Sequence, residues 1–173
     1  STMNIGSICQ RRLVTIERTS SLAQAATLMR ERHVGALVVT TSTAEGPRVD
    51  GVVTDRDLVV GALAEGLDAA SVTVGSLASE RLVSVNELDD LGDAVAAMQA
   101  SGVRRLLVTD DEAQLIGIVS LDDLLAAYAT EIDGLAKVIR SGIDREVAET
   151  DVAPEAPAPP LRVPAIGTAG WQP

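Results

Sequence analysis

The chain has 173 residues, 46% of them apolar, with no Phe, one Tyr and one Trp, so its core must be built from Val, Leu, Ile and Ala. That length suffices for one compact domain or two small subdomains, and a net charge of −11 excludes nucleic acid or an anionic membrane surface as partner while leaving room for a small anion held by local arginines. The single Cys9 excludes an internal disulfide and a cysteine zinc cluster, and no apolar run approaches membrane-spanning length, so a cytoplasmic location is the expectation.

In chain order, a lead-in turn at Ile5-Gly6-Ser7-Ile8 precedes Leu13–Ile16, whose β-formers predict a strand. Leu22, Ala25, Ala26 and Met29 recur at i, i+3, i+4, i+7 and predict a helix. Ala36–Thr40 and Val49–Val53 predict two strands joined by a Gly-Pro-containing loop, Ser42–Arg48, and a second helix starts at Asp55.

The series then returns. Val74-Gly75-Ser76-Leu77, Leu82-Val83-Ser84-Val85 and Leu106-Leu107-Val108-Thr109 repeat the first copy at an offset of 69 residues. Leu91, Ala94, Val95 and Met98 mirror the helical stripe. Gly117-Ile118-Val119-Ser120 then repeats Gly51-Val52-Val53-Thr54 at an offset of 66, so the length change falls in one loop while the apolar phase is kept on both sides. Each copy is β-α-β-β-α. One unit cannot cover both faces of its sheet, and two repeats packed through their sheets about a pseudo-twofold axis solve that, giving an α/β (α+β) fold.

The expected organisation is therefore repeat 1 over 3–65, a linker over 66–73 and repeat 2 over 74–128. Ile132, Leu135, Ile139, Ile143 and Val147 continue an apolar stripe, predicting an amphipathic C-terminal helix over 129–149 with Gly134 and Gly142 as its weak points. Residues 150–173 are rich in Pro and Ala, keep no period, and are expected to be a mobile tail.

Chemistry concentrates at two junctions, Thr54-Asp55-Arg56-Asp57 and Ser120-Leu121-Asp122-Asp123, where a buried strand ends and a helix begins. As isolated motifs these read as capping boxes, the hydroxyl and carboxylate satisfying orphan N–H groups. Their recurrence adds a second reading: the free N–H groups of a first helical turn suit a phosphate, and an aspartate one turn in can accept hydrogen bonds from a ribose cis-diol.

With these motifs in place, the chain resembles a tandem pair of CBS domains (the cystathionine β-synthase motif), which together form a Bateman module. The lead-in Gly-Ser, the strand Leu13-Val14-Thr15-Ile16, the helix ending in Met29-Arg30-Glu31-Arg32, the strand from Gly35 to Val39 and the run from Gly51 to Leu58 carry the likeness in the first copy. Val103-Arg104-Arg105-Leu106-Leu107-Val108 and Gly117–Ser120 with Asp123 carry it in the second, and the resemblance covers residues 3 to about 128.

That resemblance implies a regulatory protein binding an adenosyl ligand, namely AMP, ADP, ATP, NAD or S-adenosylmethionine, in clefts between the repeats, with no obligatory cofactor. It also implies a homodimer, and the state of the clefts is expected to pass to a protein partner. Carried over by position, Thr54 and Ser120 contact phosphate or ribose oxygens and Asp57 and Asp123 the ribose hydroxyls. Thr15, Ile16, Ser84 and Val85 border the adenine, Val53 and Val119 form the floor, and Arg56, Arg104 and Arg105 reach phosphate, beside Val34, Gly35 and Val103. Gly35 is matched by Arg104 and Arg56 by Asp122, so the two clefts are expected to bind unequally.

Two alternatives stand beside the sensor. In one, the repeats are a ligand-free dimerisation scaffold and the motifs are only caps. In the other, the cleft processes a nucleotide; no nucleophile–base–orienter set, P-loop or GxGxxG accompanies it, so no enzyme is expected. His33, the only histidine, reads as a helix C-cap or surface residue next to Val34-Gly35 of a cleft, and Cys9 as a small apolar filler.

Overall fold

A computed structural model of the chain describes residues 3–78 and 81–150. It is a mixed α+β structure with two three-stranded sheets, one per repeat. In chain order the elements are α1 (Ile5–Ile8), β1 (Thr15–Glu17), α2 (Leu22–Arg32), β2 (Ala36–Thr43), β3 (Gly46–Thr54), a π-helix (Asp57–Leu63), a 3-10 turn (Val74–Ser76), β4 (Ser84–Asn86), α3 (Leu91–Ser101), β5 (Arg105–Thr109), β6 (Leu115–Ser120) and α4 (Leu121–Glu149). The chain divides into one compact unit ending at Ala129 and a second beginning at Thr130.

Within each repeat, β1 runs parallel to β2 across helix α2, and β3 returns antiparallel to β2; β4, α3, β5 and β6 do the same. Helix α2 starts in a full capping box between Ser21 and Gln24, and α3 in one between Asp90 and Asp93. Of the predicted stripe, Leu22, Ala25 and Met29 are buried, as are Leu91, Ala94 and Met98. Ala26 is exposed, because a narrow helix contacts its sheet through one face only.

The expected loop Ser42–Arg48 is strand instead. β2 and β3 stay paired out to Thr43 and Gly46, leaving a turn of Ala44 and Glu45, with Gly46 at φ +113° and the Thr43 hydroxyl donating to its carbonyl at 2.6 Å. Pro47, which made that stretch look like a loop, sits on the edge strand β3, where a missing N–H is tolerated. The second repeat has the shorter hairpin, and both hairpins shift register at the same point, between Val39 and Thr40 and between Val108 and Thr109.

Two apolar cores result, and the lead-in turns are exchanged between them. Ile5, fully buried, lies in the second repeat's core with Val85, Leu106, Val119 and Leu124. Val74, also fully buried, lies in the first repeat's core with Ile16, Leu37, Val39 and Val53. Backbone bonds fix the exchange: Ile5 and Gly6 donate to the carbonyls of Asp89 and Glu87 at 3.0 and 2.8 Å, and Val74 and Gly75 to Ser20 and Arg18 at 2.8 Å each. The repeated glycine is required by this close approach. A Cβ on Gly6 would lie 3.0 Å from the Glu87 carbonyl oxygen, and one on Gly75 would lie 3.0 Å from that of Arg18.

Helix α4 buries Leu124 and Ala127 in the second core and continues unbroken through Gly134 and Gly142 to Glu149. From residue 151 on, the Pro/Ala-rich stretch expected as a tail lies outside the described residues.

Candidate functional site

Strand alternation decides which side chains face between the repeats. Leu37 pairs with Val53 and Leu106 with Val119, and all four belong to the cores. One residue along, Val38 pairs with Val52 and Leu107 with Ile118, and these line two clefts formed by residues of both repeats.

The first cleft, with a cavity volume of about 240 Å³, joins Thr54, Arg56 and Asp57 of one repeat to Arg81, Leu82, Val83, Val103, Arg104 and Arg105 of the other. The second, about 400 Å³, joins Ser120 and Asp123 to Arg12, Leu13, Val14, Val34, Gly35 and Ala36, with Gln10 and His33. Ten positions of the two linings correspond under the repeat, whereas Arg56 in the first and His33 in the second have no counterpart in the other. Arg105 and Ile118 line both clefts, so one guanidinium borders two sites.

At the mouth of each cleft the hydroxyl–carboxylate motif is closed on itself. Asp57 Oδ2 accepts from the Thr54 N–H at 2.8 Å and from its hydroxyl at 2.9 Å, while that hydroxyl accepts from the Asp57 N–H at 3.2 Å. Ser120 and Asp123 repeat the pattern at 2.8, 2.7 and 3.2 Å. The capping role is thus realised in both copies, and it occupies one carboxylate oxygen. Asp123 Oδ1 accepts from Gln10 Nε2 at 3.4 Å, whereas Asp57 Oδ1 has no protein partner among the described residues.

The two helix starts differ. Asp57 opens a π-helix, seen in the Ala64 N–H donating to Val59 at 2.9 Å, whereas Ser120 leads directly into the regular helix α4. The π-turns thus follow an α-helical start at Asp55-Arg56, in the helix that begins beside the more cationic cleft.

Ten of the sequence-identified residues come together in the clefts: Val34, Gly35, Thr54, Arg56, Asp57, Val103, Arg104, Arg105, Ser120 and Asp123. The other six do not line them. Val53 and Val119, expected as the floor, point into the cores, and Val52 and Ile118 take that place because side chains alternate along a strand. Ile16 and Val85 are likewise core residues, and Thr15 and Ser84 are exposed. The stretches Arg12-Leu13-Val14 and Arg81-Leu82-Val83, just before those strands, line the clefts in their stead. Their recurrence at the repeat spacing is the signal that would have found them. Asp122, matched to Arg56, is exposed and is not part of the second lining.

Electrostatically the first cleft carries four arginines against one aspartate, inside a chain with a net charge of −11. None of the four enters an ion pair among the described residues; Arg81 donates to the Ser101 carbonyl at 3.1 Å. The second cleft has Arg12 and Arg105 against Asp123, with the His33 imidazole also in its lining. Cys9 lies outside both linings, with burial pushing its thiol pKa up, and the described residues contain no cluster of three metal-ligating side chains. No described helix is long and apolar enough to cross a membrane.

Comparison with known proteins agrees with this architecture. The family model for the CBS domain matches twice, over residues 5–62 and 74–130. Hypoxic response protein 1 of Mycobacterium tuberculosis is 34% identical over 122 residues, covering 70% of this chain and 78% of that protein. A Methanopyrus kandleri protein is 31% identical over 123 residues, covering 71% of this chain but only 61% of its own length. A CBS-domain protein of Pyrobaculum aerophilum, solved in complex with AMP, has the same fold at a TM-score of 0.61 and 24% identity, covering 74% of this chain and 99% of that one.

Proposed function

The chain belongs to the CBS-domain family as a tandem pair, and from that premise we propose that it is a regulatory, non-catalytic sensor of adenine nucleotides. The observation that carries this reading is the first cleft. There a helix start, a carboxylate with a spare oxygen and four arginines without ion-pair partners among the described residues converge on one cavity. An anion gains from such a place even in an acidic protein, because local guanidiniums outweigh a distant, screened field. The AMP complex of the Pyrobaculum protein supports a nucleoside phosphate as the class of ligand.

Thr54 and Ser120 stand at the phosphate or ribose end, and Asp57 and Asp123 toward the ribose. The scaffold alternative is supported by the closed caps, which need no ligand to be satisfied. The sensor reading accounts for both the caps and the arginines. Ligand acts on the protein only so far as it binds two arrangements of the repeats unequally. A homodimer of modules is part of the same proposal: Val59, Val60 and Leu63 of the first repeat's final helix are more than half exposed, as is Leu125, the repeat counterpart of Val59. Such apolar faces mark contact surfaces.

The test is a thermal-shift panel with AMP, ADP, ATP, NAD and S-adenosylmethionine, joined to mass spectrometry of small molecules released on denaturation. A ligand at a hundred times its Kd adds about 2.7 kcal/mol to stability. No shift at millimolar concentration, with no released ligand, leaves the scaffold reading in its place.

A further inference from the structure

Beyond residue 129, α4 carries an exposed apolar face. Ile132, Leu135, Val138, Ile139, Ile143 and Val147 are each at least half exposed, from 53% to 69%. Ile132, Leu135 and Ile139 fall at alternating spacings of three and four, the a and d positions of a heptad, and Gly142 takes the next d position. One edge of this seam is Glu131, Val138 and Arg145, seven residues apart at g positions; the other is Ala136 and Ile143 at e positions.

The charges sort by face. On the back of the helix Asp133 pairs with Lys137 at 2.7 Å and reaches Arg140 at 3.7 Å. On the seam edge, Glu131 and Arg145 have no ion-pair partner among the described residues. They lie symmetrically about Val138. We propose that residues 131–145 of α4 pair with the same segment of a second copy of this chain as an antiparallel coiled coil centred on Val138.

Antiparallel pairing places Glu131 of each copy beside Arg145 of the other, at both ends of the seam. Leu135 then packs on Ile139 of the second copy, and each Gly142 receives the larger Ile132. Val138 meets Val138. Parallel pairing leaves both charges without an opposite partner, sets Gly142 against Gly142 and stacks Glu146 on Glu146 at an a position, which is repulsive. Two unlike charges that are self-complementary only in reverse alignment, flanking an exposed heptad, identify the occupant as another copy rather than an unrelated helix. This contact is separate from any made by the Val59 and Leu125 faces and does not depend on ligand in the clefts.

The experiment is cysteine cross-linking of the full chain in a Cys9→Ser background. Under mild oxidation Val138→Cys is expected to form a covalent dimer, while Ile139→Cys on the seam and Ser141→Cys on the back are not. Efficient cross-linking of Ile139→Cys without Val138→Cys indicates parallel pairing and overturns the proposal. Equal cross-linking at all three, or none at Val138→Cys, also overturns it; the latter is the outcome if the chain's own residues 151–173 or another surface of the partner covers this face. In sedimentation, Glu131→Arg should weaken self-association roughly tenfold through two like-charge contacts. Glu131→Arg combined with Arg145→Glu should restore it, and no restoration counts against the pairing.

Discussion

His33 and Gly102 hold the same left-handed helix end, at φ 54° and 66°, and each donates its N–H to a methionine carbonyl, Met29 and Met98 respectively. The two residues are repeat equivalents, but only glycine takes that conformation without a steric cost. A histidine there costs about 1 kcal/mol. His33→Gly is therefore expected to stabilise the protein by about that amount in urea denaturation. Because His33 also lines the second cleft, an unchanged ligand response in the variant would mean that its place is set by the helix end alone.

Removing a cap carboxylate has a stability cost before any ligand is considered. Asp57→Ala and Asp123→Ala each free a Thr54 or Ser120 N–H and are expected to lose about 1 kcal/mol. In the nucleotide panel, Asp57→Ala should reduce the shift from the first cleft and Asp123→Ala that from the second. Equal ligand shifts in the double variant would show that neither carboxylate holds the ribose.

Arg105 borders both clefts, and one guanidinium cannot grip two phosphates equally well. Calorimetry should find two sites of different affinity, the second weaker once the first is filled. Arg105→Ala should lower the overall affinity and bring the two sites closer together. Arg104→Gly, which copies Gly35, should weaken the first cleft more for ATP than for AMP, with the difference shrinking as salt rises. A uniform loss for both nucleotides would place Arg104 outside phosphate recognition.

Three glycines test the packing with opposite signs. A Cβ on Gly75 meets Arg18 at 2.9 Å, and one on Gly117 meets Cys9 Sγ at 2.7 Å and the Gln10 carbonyl oxygen at 3.0 Å. Alanine at either is expected to destabilise by about 1–3 kcal/mol. At Gly134, where nothing lies within 4 Å, alanine should stabilise the helix by about 0.5–1 kcal/mol. Melting temperatures of the three single variants read the signs directly.

Asp50 has its pKa held below the ordinary carboxylate value by the Thr41 hydroxyl, then by Arg48 and Arg18. A folded-state value below the unfolded one stabilises the protein above the unfolded pKa and loses that contribution as pH falls through the folded one. Wild type should thus exceed Asp50→Asn in stability at neutral pH, and the gap should begin to narrow below about pH 4 and close as pH falls through the lowered folded-state pKa. A gap that does not change at all as pH is lowered would assign the effect to packing rather than to charge.

The repeat, its β-α-β-β-α order and the helix to Glu149 were legible because apolar spacing and loop position survive in both copies. Which side of each strand faces the clefts was not. Val38-Val39, Val52-Val53 and Ile118-Val119 are apolar on both faces, so alternation offered no polar contrast to separate core from cleft. Pro47 misled for a related reason: an edge position, invisible in one dimension, is what makes a proline compatible with strand. The exchange of lead-in turns was equally hidden, since Ile5 and Val74 are interchangeable apolar residues in the same motif.

That exchange makes the two repeats mutually dependent. Since Ile5 fills a place in the second repeat and Val74 the matching place in the first, a solitary repeat would have one vacancy and one plug to offer. Two identical solitary repeats could satisfy each other fully. Either repeat expressed alone would lose its plug and expose its own lead-in apolar residue, so each half depends on the other for a complete core. Arg104 opposite Gly35 is the kind of asymmetry that a strictly identical pair could never acquire.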